Sequence, residues 1–131
     1  MICLIDHNLR GHAVVFLGAI ASEGWLDILP IQFVTFDALN LPTDSDDRVV
    51  WRLAQDNQMV LLTANRSMKG QDSLEQVMRE ESKAESLPVV TISNADRLLS
   101  DPEYRSRCVE SLVEIALSLD SYRGVQRIFI P

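Results

Sequence analysis

Four short stretches carry side chains that chemistry can use. They are "LIDHNLRGH" with Asp6, His7 and His12, "TDSDDR" with Asp46 and Asp47, "LLTANRSMKG" with Asn65, Arg66 and Lys69, and "ISNADR" with Asp96. Carboxylates drawn from separate segments can hold a hard divalent cation, because such ions prefer oxygen ligands. Asp6 has two readings: a cation-binding carboxylate at a strand end, or the N-cap of the helix that follows, a position Asp favours. Asp46 and Asp47 face a similar alternative, since acidic residues suit a first helical turn. His7 and His12 are five apart, not at the i, i+4 spacing of a paired-His site, and do not point to a metal. Arg66 and Lys69 precede a helix start, where they would either contact a phosphate or form a solvated basic loop. Arg10 and Arg48 are weaker phosphate candidates. Cys3 and Cys108 belong to no CxxC pair and sit in apolar patterns, as buried thiols do.

These residues need a scaffold, and the apolar pattern supplies one. "MICLID" (1–6), "IQFVTF" (31–36), "MVLLTA" (59–64), "PVVTIS" (88–93) and "VQRIFI" (125–130) read as strands. Helical periodicity fills the gaps. Leu9, Ala13, Phe16, Leu17 and Ile20 share one face, with Gly24 as the stop. Val49, Val50, Leu53 and Ala54 form a second stripe after the turn-rich 37–47 segment. A third helix opens at "DSLE", where Asp72 and Glu75 have capping-box spacing. "SNADRLL" is a short helix, and "SDPEYRSRCVESLVEIALSL" a longer one, capped by Ser100 or Asp101 before Pro102, with Val109, Leu112, Val113, Ala116 and Leu117 facing inward. Short continuous apolar strands alternating with helices predict an α/β three-layer sandwich: a mostly parallel sheet of about five strands with helices on both faces.

Composition narrows the setting. With 131 residues and 47% hydrophobic content, the chain has enough apolar surface for one core and is read as a single domain, 1–131. A formal net charge of −7 repels polyanions at long range and argues against nucleic-acid packaging, though not against a small nucleolytic site. No apolar run approaches the roughly 20 residues that span a bilayer. The start, "MICLIDHNLRGH", lacks a basic n-region and a small-residue cleavage site, so a soluble cytoplasmic protein is expected. Trp25, Trp51 and Tyr104 are the aromatics to test as base-stacking platforms; the periodicity places Trp51 in the core.

In open parallel sheets ligands bind beyond the carboxyl ends of the strands, where strand order reverses. Asp6 ends the first predicted strand, Asn65 follows the third, and Asp96 follows the fourth. Taken in order, "LIDHNL" and "DDRVVWRLAQDNQMVLLTAN" resemble the PIN-like domains, in particular a compact branch whose first strand ends in Asp-Glu-Asn-Leu. That branch continues with Ser-Asp at a helix start, an Ala within that helix and a Leu-Thr-x-Asp strand end. The matching positions are Asp6, Asn8 and Leu9, then Asp47, Ala54, Leu62 and Thr63. The likeness covers residues 1 to about 68, and the remainder follows in element order alone.

The resemblance implies a Mg²⁺- or Mn²⁺-dependent ribonuclease, in many members the toxin of a toxin–antitoxin pair. Asp6 and Asp47 then stand as metal ligands, with Asn65 as a neutral third. It also implies RNA as substrate and an antitoxin-like protein as partner; a symmetric homodimer is the default assembly. The alternative is a non-catalytic PIN-like module that binds a protein or RNA. A nucleotide-binding or receiver-like domain fits less well, because no Gly-rich phosphate loop follows the first strand.

Three departures from the pattern matter: His7 replaces the Glu, Asn65 the strand-end Asp, and Ser67 a second Asp. Asn65 therefore has three readings. It is a neutral ligand with Asp72, Glu75 or Asp96 supplying charge, the mark of a site that binds without catalysis, or a residue that merely turns the chain.

Overall fold

The computed structural model describes residues 1–65 and 73–131. Its centre is one five-stranded sheet, formed by β1 (Ile2–Ile5), β2 (Gln32–Val34), β3 (Val60–Thr63), β4 (Val89–Ile92) and β5 (Arg127–Ile130). The order is β2-β1-β3-β4-β5 and every pairing is parallel. β3 and β4 are buried along their whole length, which is why they read as unbroken apolar runs. β2, at an edge, is shorter than the 31–36 run because Phe36 leaves the sheet to begin a 3-10 turn.

Parallel neighbours require crossovers, and these are the helices α1 (Arg10–Ser22), α2 (Asp47–Asp56), α3 (Leu74–Glu81), α4 (Ala95–Ser100) and α5 (Pro102–Leu117). Phe16, Leu98, Leu112 and their neighbours pack α1, α4 and α5 on Cys3, Ile5, Leu62 and Ile92 of one sheet face. Val50, Trp51, Val77 and Met78 pack α2 and α3 on Leu4, Leu61 and Val89 of the other. The result is the expected three-layer α/β sandwich. Among the described residues, no helix is long and apolar enough to cross a membrane.

Several local expectations are corrected. Asp6 does not cap the turn that follows it: its side chain makes no capping bond. The cap of α3 is Ser73, which accepts from the Gln76 N–H, one residue later than the Asp72–Glu75 spacing indicated; Asp72 itself lies outside the described residues. Leu117 is 61% exposed and Val49 48%, so the stripes of α5 and α2 are narrower than their apolar residues imply. Asp101 does cap α5, accepting from the Glu103 and Tyr104 N–H groups. Trp51 and Tyr104 are core residues, not stacking platforms, and Trp25 packs half-buried against the core. Both cysteines are buried, and burial pushes the Cys3 thiol up to about 12 and the Cys108 thiol up to about 11.

Candidate functional site

The chain runs from β1 to β2 on one side and from α2 back to β3 on the other, so strand order reverses between β1 and β3. The carboxyl ends of these two strands are where a doubly wound sheet opens a ligand crevice. Alternation decides what faces it. Leu4 and Leu61 look toward α2 and α3, so two residues on, Asp6 and Thr63 look the same way, and Thr91 sits beside Thr63 in register. The apolar face thus ends in a polar row.

The row is knit together. Thr63 Oγ1 donates to Asp6 Oδ2 at 2.6 Å and accepts from the Asn65 main-chain N–H at 2.9 Å. Asn65 Nδ2 in turn donates to both carboxylate oxygens of Asp47, at 3.1 and 3.2 Å. Asp46 and Asp47 divide two roles. Asp46 is the N-cap of α2, with Oδ1 accepting from the Val49 N–H at 2.9 Å. Asp47, one position on, turns inward toward the Asn65 amide, and the Leu74 main-chain N–H at the start of α3 favours its charged form. Asp46→Ala should therefore lower stability by about 1 kcal/mol in urea denaturation while leaving the Asp47–Asn65 contact intact.

Asp6, Asp47 and Asn65, the three residues singled out from sequence, line one cavity of about 160 Å³. His7, Thr43 and Ser45 lie on its wall, and no Lys or Arg does among the described residues. Asp6 and Asn65 also line a second cavity of about 300 Å³ with Asn8 and His12. Burial raises the Asp47 carboxyl above the ordinary carboxylate range; the Asn65 amide opposes this, while the charges of Asp6 and Asp46 reinforce it.

The remaining candidates are dispersed. Arg66 and Lys69 lie outside the described residues, as does Ser67. Arg48 is engaged with Glu80 at 2.7 Å and with Glu81, bracing α2 against α3, and Arg10 lies on His7. Of the carboxylates expected to add charge, Glu75 pairs with Arg127 at 3.4 Å, and Asp96 is fully exposed, 3.8 Å from His12. Thr63 is the residue that sequence reasoning underused, since it appeared there only as a motif position. Its signal was a hydroxyl ending an otherwise apolar strand.

Among the described residues, no set of three or more His, Cys, Asp or Glu side chains is grouped to hold a metal ion. Two carboxylates with an amide oxygen form a sparser donor set. It still fits a hydrated Mg²⁺-type ion, which takes one or two carboxylates and keeps several waters. One adjustment is required: Asn65 presents its N–H₂ to Asp47, and its oxygen would face a shared cation only after a half-turn of the terminal amide. Compared with protein-family models, curated proteins and solved structures, the chain has no significant match.

Proposed function

We propose that this is a PIN-like domain with a divalent-cation-dependent ribonuclease site of reduced charge. The observation that carries the reading is the convergence of Asp6 and Asp47, from β1 and α2, on one cavity at the strand-order reversal. Two facing carboxylates in a partly buried cleft repel one another, and a cation relieves that repulsion. Asp6 and Asp47 would hold Mg²⁺ or Mn²⁺, with the Asn65 oxygen as neutral third donor. When bound, the ion supplies positive charge at the scissile phosphate and lowers the pKa of its water.

The chain's own residues prepare the cleft. Thr63 fixes one oxygen of Asp6, leaving the other for a ligand. Asn65 holds Asp47 on the cleft side of α2. RNA is the substrate that this reading assigns, in a cytoplasmic setting, and the acidic surface favours a basic partner such as an antitoxin-like protein.

Calorimetric titration with Mn²⁺ tests the cation. A carboxylate about 4 Å from a divalent charge contributes about 2 kcal/mol even at the dielectric of water. Asp6→Asn should thus weaken Mn²⁺ binding about thirtyfold, and Mn²⁺-dependent RNA cleavage should vanish with it. Equal Mn²⁺ affinity in the two proteins would remove the basis for the assignment.

A second reading, a module that binds without cleaving, is favoured by one contact. The Asn65 amide already satisfies both oxygens of Asp47 without a metal. It predicts metal-independent ligand binding and no cleavage.

A further inference from the structure

Arg127 is the first residue of β5, at the sheet edge opposite β2, yet its side chain is only 7% exposed. A guanidinium withdrawn from water needs partners on every side, because desolvation is costly unless charge and hydrogen bonds replace the lost hydration. An ion pair with Glu75, at 3.4 Å, is one of them. Two shorter ones go elsewhere: Nη1 donates to Thr91 Oγ1 at 2.6 Å and to the main-chain carbonyl of Asn65 at 2.7 Å. The side chain reaches over β4 to do so, since Arg127 pairs with Val89 while Thr91 pairs with Thr63.

This reach matters because of what Asn65 lacks. It follows β3, past the last paired residue of the sheet, so the ladder no longer fixes its main chain. Its N–H is held instead by Thr63 Oγ1 and its carbonyl by Arg127. With both main-chain polar groups held by side chains, the Asn65 side chain is aimed at Asp47. We infer that Arg127 is a positioning residue for the site: from the far edge of the sheet it fixes the backbone of Asn65, and so the place of its side chain beside Asp47, whichever way the terminal amide turns.

The inference rests on the reading of Asp6, Asp47 and Asn65 as the functional site, and its test has two separate readouts. One is the position of the Asn65 side-chain amide signals in ¹⁵N NMR spectra of the metal-free protein. The other is Mn²⁺ affinity by calorimetry. In Arg127→Met the Asn65 amide signals should move and Mn²⁺ affinity should fall about tenfold. In Glu75→Gln, which keeps the guanidinium on the Asn65 carbonyl, both should stay at wild-type values. If Arg127→Met alone does not fold, the double variant Glu75→Gln with Arg127→Met leaves no unpaired buried charge and carries the same comparison.

A folded Arg127 variant whose Asn65 amide signals match the wild type would overturn the inference. So would a Glu75→Gln variant that moves them as far as Arg127→Met does, because the ion pair would then be the operative contact. If the wild type binds no Mn²⁺, the proposed function fails, while the NMR comparison still decides the role of Arg127.

Discussion

Asn65→Asp is expected to make the protein markedly less stable without metal and a markedly better cation binder with it. Asn65 now places an N–H₂ against both oxygens of Asp47. Aspartate would replace those donors with a carboxylate oxygen at the same distance. Hydrogen bonds to a charged group are worth about 1.5–3 kcal/mol, so their loss together with the new repulsion should cost about 2–3 kcal/mol in chelator. With Mn²⁺ most of that loss is recovered, because a third carboxylate adds about 2 kcal/mol of attraction, roughly thirtyfold in affinity.

The pH dependence follows from Asp47, whose folded carboxyl already titrates above its ordinary value. A raised folded pKa means that the folded state holds protons that the unfolded chain has released. Stability therefore falls as pH rises from the unfolded value through the folded one. The variant widens that window, so its deficit in chelator should be largest near neutrality and shrink on acidification. Urea melts at several pH values, with chelator and with Mn²⁺, measure both effects. A variant as stable as the wild type in chelator at pH 7 would show that Asn65 does not hold Asp47.

Thr63→Val should produce the second large change, by removing one oxygen and leaving the shape. Thr63 is 1% exposed, and its hydroxyl serves Asp6 as donor and the Asn65 N–H as acceptor. Valine would leave a carboxylate oxygen and a main-chain N–H without their partner in a partly buried place. Each unsatisfied group costs about 1–3 kcal/mol, so a loss of about 2–3 kcal/mol is expected by chemical denaturation. That is a large share of the 5–15 kcal/mol typical of a domain. Thr63→Ser, which keeps the oxygen, should recover most of it. Equal stability of the valine and serine variants would show that packing, and not the hydrogen bonds, makes Thr63 matter.

The strands were legible because three of them, β1, β3 and β4, are short apolar runs in which position along the chain and burial coincide. The sorting of Asp46 from Asp47 was half legible: the motif favoured Asp47, but a cap and an inward ligand are chemically alike at adjacent positions. Only the start of α2 at Asp47 separates them. The α3 cap was misread because Asp72 and Ser73 are both good caps and spacing alone cannot place a helix end to one residue. Arg127 was invisible as a site residue. In "VQRIFI" it is a single charged residue within a strand pattern, and its partners Glu75 and Asn65 lie 52 and 62 residues earlier. No local pattern encodes a contact that a side chain makes across a neighbouring strand.

The same separation gives the site a schedule. β5 is made after every other strand, so Arg127 follows Asn65 out of the ribosome by 62 residues. At about 5–20 residues per second, that is a delay of about 3–12 seconds. During this interval a nascent chain already carries Asp6, Asp47 and Thr63, but not the guanidinium that anchors the Asn65 carbonyl. The order of synthesis thus leaves the Asn65 carbonyl without its Arg127 anchor until β5 arrives.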